Sequence, residues 1–148
     1  MTKEYKARKG ARFDDEKAQV YGERIDYLSK QNGEKITPTQ IVEDASKRNS
    51  PLHNFFEWNN TKAAIEWRLQ QARDLVNHIV EVISVEGVQT EQKSFFSVYD
   101  ESTKKPTYVN INTALKTPSY RKELLSNLIA VLENAAVLMK LLRSYEVK

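Results

Sequence analysis

The chain has 148 residues, 40% of them hydrophobic and 29% charged, with four Gly, four Pro and no Cys. That length predicts one domain with its own core, and the composition excludes a disordered chain, a collagen-like repeat and a low-complexity linker. The lack of Cys excludes disulfides, thiolate metal sites and a Cys nucleophile, and the formal net charge is only +3.

That charge is unevenly placed. Residues 1–12 carry Lys3, Lys6, Arg8, Lys9 and Arg12 against Glu4, so the rest of the chain holds 18 Lys and Arg against 19 Asp and Glu. A short basic segment without an apolar period predicts a flexible basic arm, residues 1–12, ahead of a single helical domain at 13–148. The arm has no apolar region of the kind a secretory leader carries. No uninterrupted run of about 18 apolar residues occurs, which predicts no membrane contact. A soluble, reducing, intracellular setting is expected.

Asp14 or Asp15 caps a first helix running to about Gln31, with Val20, Tyr21, Ile25, Tyr27 and Leu28 at helical spacing. Gly22 within it marks a close approach, and Asn32-Gly33 is a stop signal. Residues 13–34 have an excess of carboxylates, which argues against this helix lying on a phosphate backbone. Thr37-Pro38-Thr39-Gln40 is a capping box with Pro at the first helical position, opening a short helix at about 38–48. Pro51 ends the region. Leu52-His53-Asn54-Phe55-Phe56-Glu57-Trp58 reads as an irregular turn whose Leu52, Phe55 and Trp58 enter the core, with His53 ordering it through a hydrogen bond. Phe56 fits either core or surface.

Asn59-Asn60-Thr61 caps a third helix expected over 61–84, with the stripe Ile65, Leu69, Ala72, Val76, Ile79 and Ile83. Gly87 breaks it. Residues 94–99 and 107–112 alternate in the manner of strands and predict a β-hairpin near 94–112. Thr117-Pro118 opens a last helix to about residue 146. It carries two apolar stripes, one through Leu124, Leu128, Val131, Ala135, Leu138, Leu142 and Tyr145, the other through Leu125, Ile129, Leu132, Ala136 and Met139. Two apolar faces require two partners. One stripe is expected to meet its copy in a homodimer through 118–146; the alternative is that this helix is simply the core of the monomer. The fold class expected is mainly α with one β-hairpin, a helix-turn-helix-like N-terminal half and a long C-terminal helix.

No glycine-rich phosphate loop, zinc-protease motif or nucleophile elbow is present. His53 and His78 have no metal-ligand spacing around them. Asp44, Glu57 and Glu66 near the turn offer carboxylates, and Glu57 with His53 an acid and base, but no nucleophile or cofactor loop accompanies them. The expectation is a non-catalytic protein without cofactor. Double-stranded DNA is the expected partner. The third helix would enter the major groove by its N-terminal end, the turn at 102–105 would act as a wing, and the arm would touch phosphates. The contacts expected are Lys6, Arg8, Lys9, Arg12, Asn60, Lys62, Arg68, Lys104 and Lys105. Against this, Asn59-Asn60-Thr61 equally suits a plain helix cap, and the turn before it exceeds the usual three or four residues. The alternative is a protein-interaction module for a bacterial host protein, anchored by Phe55, Phe56 and Trp58.

One resemblance bears on this. Ile36-Thr-Pro-Thr-Gln-Ile-Val-Glu-Asp-Ala45, Ser50-Pro-Leu-His53, Phe56-Glu-Trp58, Ala63-Ala64 through Arg68 and Gln71-Ala-Arg73 resemble an uncharacterised family of small bacteriophage and prophage proteins. The likeness covers about residues 18–146. It implies a phage-encoded protein acting in the bacterial host cytoplasm, suspected of binding DNA, and it brings no catalytic residues. The basic arm lies outside it.

Overall fold

A computed structural model describes residues 3–59 and 61–146, with the backbone alone at Lys62 and Ala63. Its elements are β1 (Tyr5–Ala7), α1 (Asp15–Gln31), α2 (Pro38–Ala45), α3 (Lys62–Asn77), β2 (Ile79–Val85), β3 (Val88–Lys93), β4 (Phe95–Asp100), β5 (Lys105–Asn110), α4 (Ile111–Lys116) and α5 (Pro118–Glu146), with a single 3₁₀ turn at His53–Phe55. The strands form two antiparallel sheets, β1-β2-β3 and β4-β5.

This corrects the expected fold class, which had one hairpin. The residues read as the end of a long third helix form β2 instead. Ile79-Val-Glu-Val-Ile-Ser-Val85 satisfies both the helical and the strand period, and its β-branched side chains favour the strand. The helix is closed at His78, whose backbone N–H donates to the Asp74 and Leu75 carbonyls and whose Nδ1 lies 2.6 Å from the Asp74 carbonyl oxygen. The next reversal is Glu86-Gly87, with φ of 51° and 81°. Two successive positive φ values are those of the primed hairpin turn, whose twist matches its strands. Val85 faces Val88 across it.

The residues expected as a loose arm include β1, which pairs Tyr5 with Glu81 and Ala7 with Ile79. Its outer edge is covered by α1. The Tyr5 N–H donates to Gln19 Oε1 at 2.8 Å and the Ala7 N–H to Asp15 Oδ1 at 2.9 Å, so the strand has no bare edge there. The Tyr5 ring then lies flat on Gly22, the close approach that glycine permits.

The main core gathers Tyr5, Tyr21, Ile25, Ile36, Ile41, Leu52, Phe56, Leu75, Val76, Ile79 and Phe95. Ile65, placed in the core stripe by its spacing, is 55% exposed. The α3 face that is buried runs instead through Ala64, Gln71, Ala72, Leu75 and Val76. A buried polar knot joins the two sheets: Ser94 Oγ donates to Glu81 Oε2 at 3.1 Å and Asn110 Nδ2 reaches the same oxygen at 3.3 Å.

The start of α5 packs on the rest of the molecule. Tyr120 and Leu124 pack on the small cluster Val98, Val109 and Ala114, and Glu123 accepts from the Tyr99 N–H. From Leu125 to Glu146 every residue is exposed. The helix is therefore not the core of the monomer. It is also long and apolar enough, by length and composition, to cross a membrane. Its sequence holds no unbroken apolar run because Asn127, Glu133, Asn134 and Lys140 are spread along it.

Candidate nucleic-acid interface

The segment from α2 to α3 is not a helix-turn-helix. Numbering from Ala45 to Lys62 leaves a connection several times the usual three or four residues. The sequence there builds a closed plug. Asp44, buried on α2, accepts from Arg24 Nη2 at 2.6 Å, from Arg24 Nε at 3.1 Å and from Ser50 Oγ at 2.6 Å. Burial alone would raise the Asp44 pKa, but the bonds from Arg24 and Ser50 outweigh it and hold the carboxyl below its ordinary value. Ser50 Oγ in turn accepts from the Leu52 N–H. His53 Nδ1 lies 2.7 Å from the Ala45 carbonyl oxygen, and its ring stacks on Trp58 with centroids 5.1 Å apart. Trp58 Nε1 donates to the His53 carbonyl at 2.9 Å. Leu52 and Phe56 are buried, and Phe55 joins Phe13 and Tyr21 in edge-on contacts. Of the three aromatics expected as interface anchors, Phe56 is buried, while Phe55 and Trp58 are half-buried. Glu57 is exposed, while the His53 ring is committed to its stack and its backbone contact.

The residues expected to touch DNA fall into separate groups. Lys6, on β1, lies 3.9 Å from Glu4 and 3.8 Å from Glu91. Arg8 rests on the C-terminal end of α3, its backbone N–H donating to the His78 carbonyl at 2.8 Å. Lys9 is exposed beside it, and the Arg12 guanidinium lies over the Trp67 ring at 5.9 Å. Arg68 is drawn back toward the plug: Nη1 donates to the Asn59 carbonyl at 2.7 Å, and the guanidinium lies over Trp58 at 5.3 Å. Both contacts tie the part-exposed Arg68 side chain to the plug. Asn60 and the Lys62 side chain lie outside the described residues.

Lys104 and Lys105 stand at the β4–β5 turn. Lys104 has φ 57° and donates its N–H to the Asp100 carbonyl at 2.7 Å. Asp100 holds the turn in shape by accepting from Ser102 N–H and Oγ and from Lys35 Nζ. Those partners, Ser102 foremost, keep its carboxyl well below the usual range.

Lys105 opens onto a cleft of about 570 Å³ that also takes in Thr37, Pro38, Thr39, Leu69, Arg73, Ser97, Thr103, Pro106 and Tyr108. Its geometry follows from one junction. Ile36 and Tyr108 exchange backbone hydrogen bonds of 2.9 and 2.8 Å, which set the start of α2 against β5. Thr37 then caps α2, accepting from the Gln40 N–H while Gln40 Oε1 takes the Thr37 N–H. The positive end of the helix is thereby turned to the cleft. Arg73, from α3, forms the opposite wall and has no hydrogen bond or ion pair among the described residues. Burial pushes the Tyr108 phenol up, and the nearby Arg73 charge and a bond with Asn77 pull it part of the way back.

Among the described residues no carboxylate lines this cleft; Asp74, outside the lining, adds a small upward push on the Tyr108 phenol. Lys105 was expected from the sequence as a contact, whereas Arg73 was not among the residues expected there. The available signal was the Gln71-Ala72-Arg73 run, whose apolar neighbours fix the direction in which Arg73 leaves the helix. Among the described residues no cluster of three or more His, Asp or Glu is placed to hold a metal ion. No protein-family model, no curated protein and no solved structure matches this chain.

Proposed function

We propose that this chain is a non-catalytic, phage-type protein that binds double-stranded DNA through its phosphates inside the bacterial host, with the cleft between α2, α3 and the β4–β5 turn as a principal contact. The observation that carries this reading is the pairing of Arg73 and Lys105 across a cleft with no carboxylate among its described lining residues. A guanidinium and an ammonium without a hydrogen bond or ion pair among the described residues, beside Thr and Ser hydroxyls and a helix N-terminus, are the donor set a phosphate accepts from. Lys104, at the tip of the same turn, and Arg8 with Lys9 add charge at greater distance. The small net charge implies weak binding per protomer.

The test is a titration of random duplex DNA at several salt concentrations. Binding should fall with salt at a log–log slope of about −0.9 per phosphate neutralised. Arg73→Ala and Lys105→Ala should each reduce that slope by about 1 and weaken all sequences alike. Neither residue holds the fold together, so both variants should keep the wild-type melting curve. Absence of binding at low salt, or full binding by the double variant, refutes the proposal.

The second reading, a module that binds a host protein, is favoured by one feature, the uncovered apolar faces of α5. The aromatic turn offers less to such a partner, with Phe56 buried and Phe55 and Trp58 half-buried against the core.

A further inference from the structure

From Leu125 onward α5 continues for 22 residues with every one exposed, which is about 33 Å of helix at the standard rise. An isolated helix of this kind, with Leu, Ile or Val at nine of those 22 positions, is not a stable end state in water. Something covers it. We infer that the cover is further copies of the same helix, in a parallel or antiparallel bundle of more than two chains.

Three features select this occupant. The first is period. Leu128, Val131, Ala135, Leu138 and Leu142 follow at steps of three and four, the spacing that keeps one seam facing a partner of equal repeat. The polar residues repeat with it: Asn127 and Asn134 are seven apart, as are Glu133 and Lys140.

The second is area. A large apolar side chain removes roughly 60–120 Å² from water when covered. The four large side chains of the seam, from two chains, give on the order of 500–1,000 Å², below the 1,200–2,000 Å² of a stable interface. Adding Leu125, Ile129, Leu132 and Met139 brings about 1,000–1,900 Å², within that class. Two helices in contact cover one seam and leave this second stripe in water. Three or more cover both.

The third is the position of the polar groups. Glu133 and Asn134 stand at the centre of the apolar stretch 125–142. In a membrane-spanning helix that is the depth at which a carboxylate is most costly. In a bundle the same residues lie on the outer strip and stay in water.

This inference is independent of the DNA reading. The experiment is sedimentation equilibrium of the full chain over a dilution series. The expected mass is that of at least three chains of 17.1 kDa. Val131→Glu with Leu138→Glu breaks the seam and should return the mass to a single chain. Leu132→Lys with Met139→Lys leaves the seam and should stop at two. None of these residues touches the folded domain, so its melting transition should stay in place in both variants. A wild-type chain that sediments as one or two copies overturns the inference. So does flotation of the chain with phosphatidylcholine–phosphatidylglycerol vesicles in place of self-association. A monomer that still binds duplex DNA sinks this inference alone, whereas an assembled chain that ignores DNA sinks only the other.

Discussion

Asp44 is the residue on which the plug depends, and its removal tests the account of that region. Asp44→Ala deletes a carboxylate that accepts two bonds from Arg24, at 2.6 and 3.1 Å, and one from Ser50 at 2.6 Å. Hydrogen bonds to a charged group contribute about 1.5–3 kcal/mol each. The Arg24 side chain is 29% exposed, so its freed guanidinium regains water and its share falls at the low end. The buried Ser50 hydroxyl loses its acceptor, at a cost of about 1 kcal/mol. Together the loss is about 3–4 kcal/mol, a large fraction of a typical domain's stability. The sign with pH follows from the lowered pKa. The stabilisation is present above the ordinary aspartate value of 3.8 and fades as pH falls through the lower folded value. Urea unfolding followed by circular dichroism, near neutrality and again near pH 3, measures both effects. The deficit of the variant should be full at the higher pH and smaller at the lower. A deficit under about 1 kcal/mol, or one equal at both pH values, refutes the reasoning.

Two other substitutions probe close packing. Gly22→Ala would place its Cβ 2.4–2.8 Å from three atoms of the Tyr5 ring. The clash should cost about 1–3 kcal/mol and outweigh the roughly 1 kcal/mol that Ala gains in a helix. In a Tyr5→Ala background the same change should become stabilising, which a double-mutant cycle in urea would detect. Trp58→Phe removes the bond to the His53 carbonyl and weakens the stack with His53 and Arg68. It should cost about 1–2 kcal/mol by thermal melt, with the loss confined to stability. An unchanged melting temperature would mean the plug is not held as described.

The parts legible in the sequence are those where local chemistry decides. Asp14 caps α1 by accepting from the Lys17 N–H, the helix ends at Gln31, and Thr37 with Gln40 forms the capping box around Pro38. His53 does order the aromatic turn, and Pro118 opens a helix ending at Glu146. Each of these is set within a few residues. β2 was not legible because Ile79 and Ile83 fit two periods at once, and only the arrival of β1 and β3 on its two edges decides between them. β1 was hidden for a related reason. Three residues have no period, and what orders them is the Gln19 and Asp15 side chains on a helix that follows. Ile111 was read as the end of a strand, whereas Asn110 caps α4 there by accepting from the Asn112 N–H. At the site, Lys105 was visible as charge in a turn. Arg73 becomes part of a site only when the Ile36–Tyr108 bridge brings α2 and β5 to it.

The cleft and α5 lie in different parts of the molecule, and joining them gives a condition on both. One cleft offers the two cations Arg73 and Lys105, which by itself supports a shallow salt slope and weak affinity. A bundle built on α5 carries several such clefts at fixed separations. Once one cleft holds a phosphate, the next meets the same duplex at a high effective concentration, and affinity rises without a new contact. Val131→Glu with Leu138→Glu leaves Arg73 and Lys105 untouched. If both proposals hold, it should nevertheless cut DNA affinity and flatten the salt dependence toward that of a single cleft, as anisotropy titrations at two salt concentrations would record. Wild-type affinity in a dissociated variant would leave each cleft acting alone and remove the functional reason for assembly.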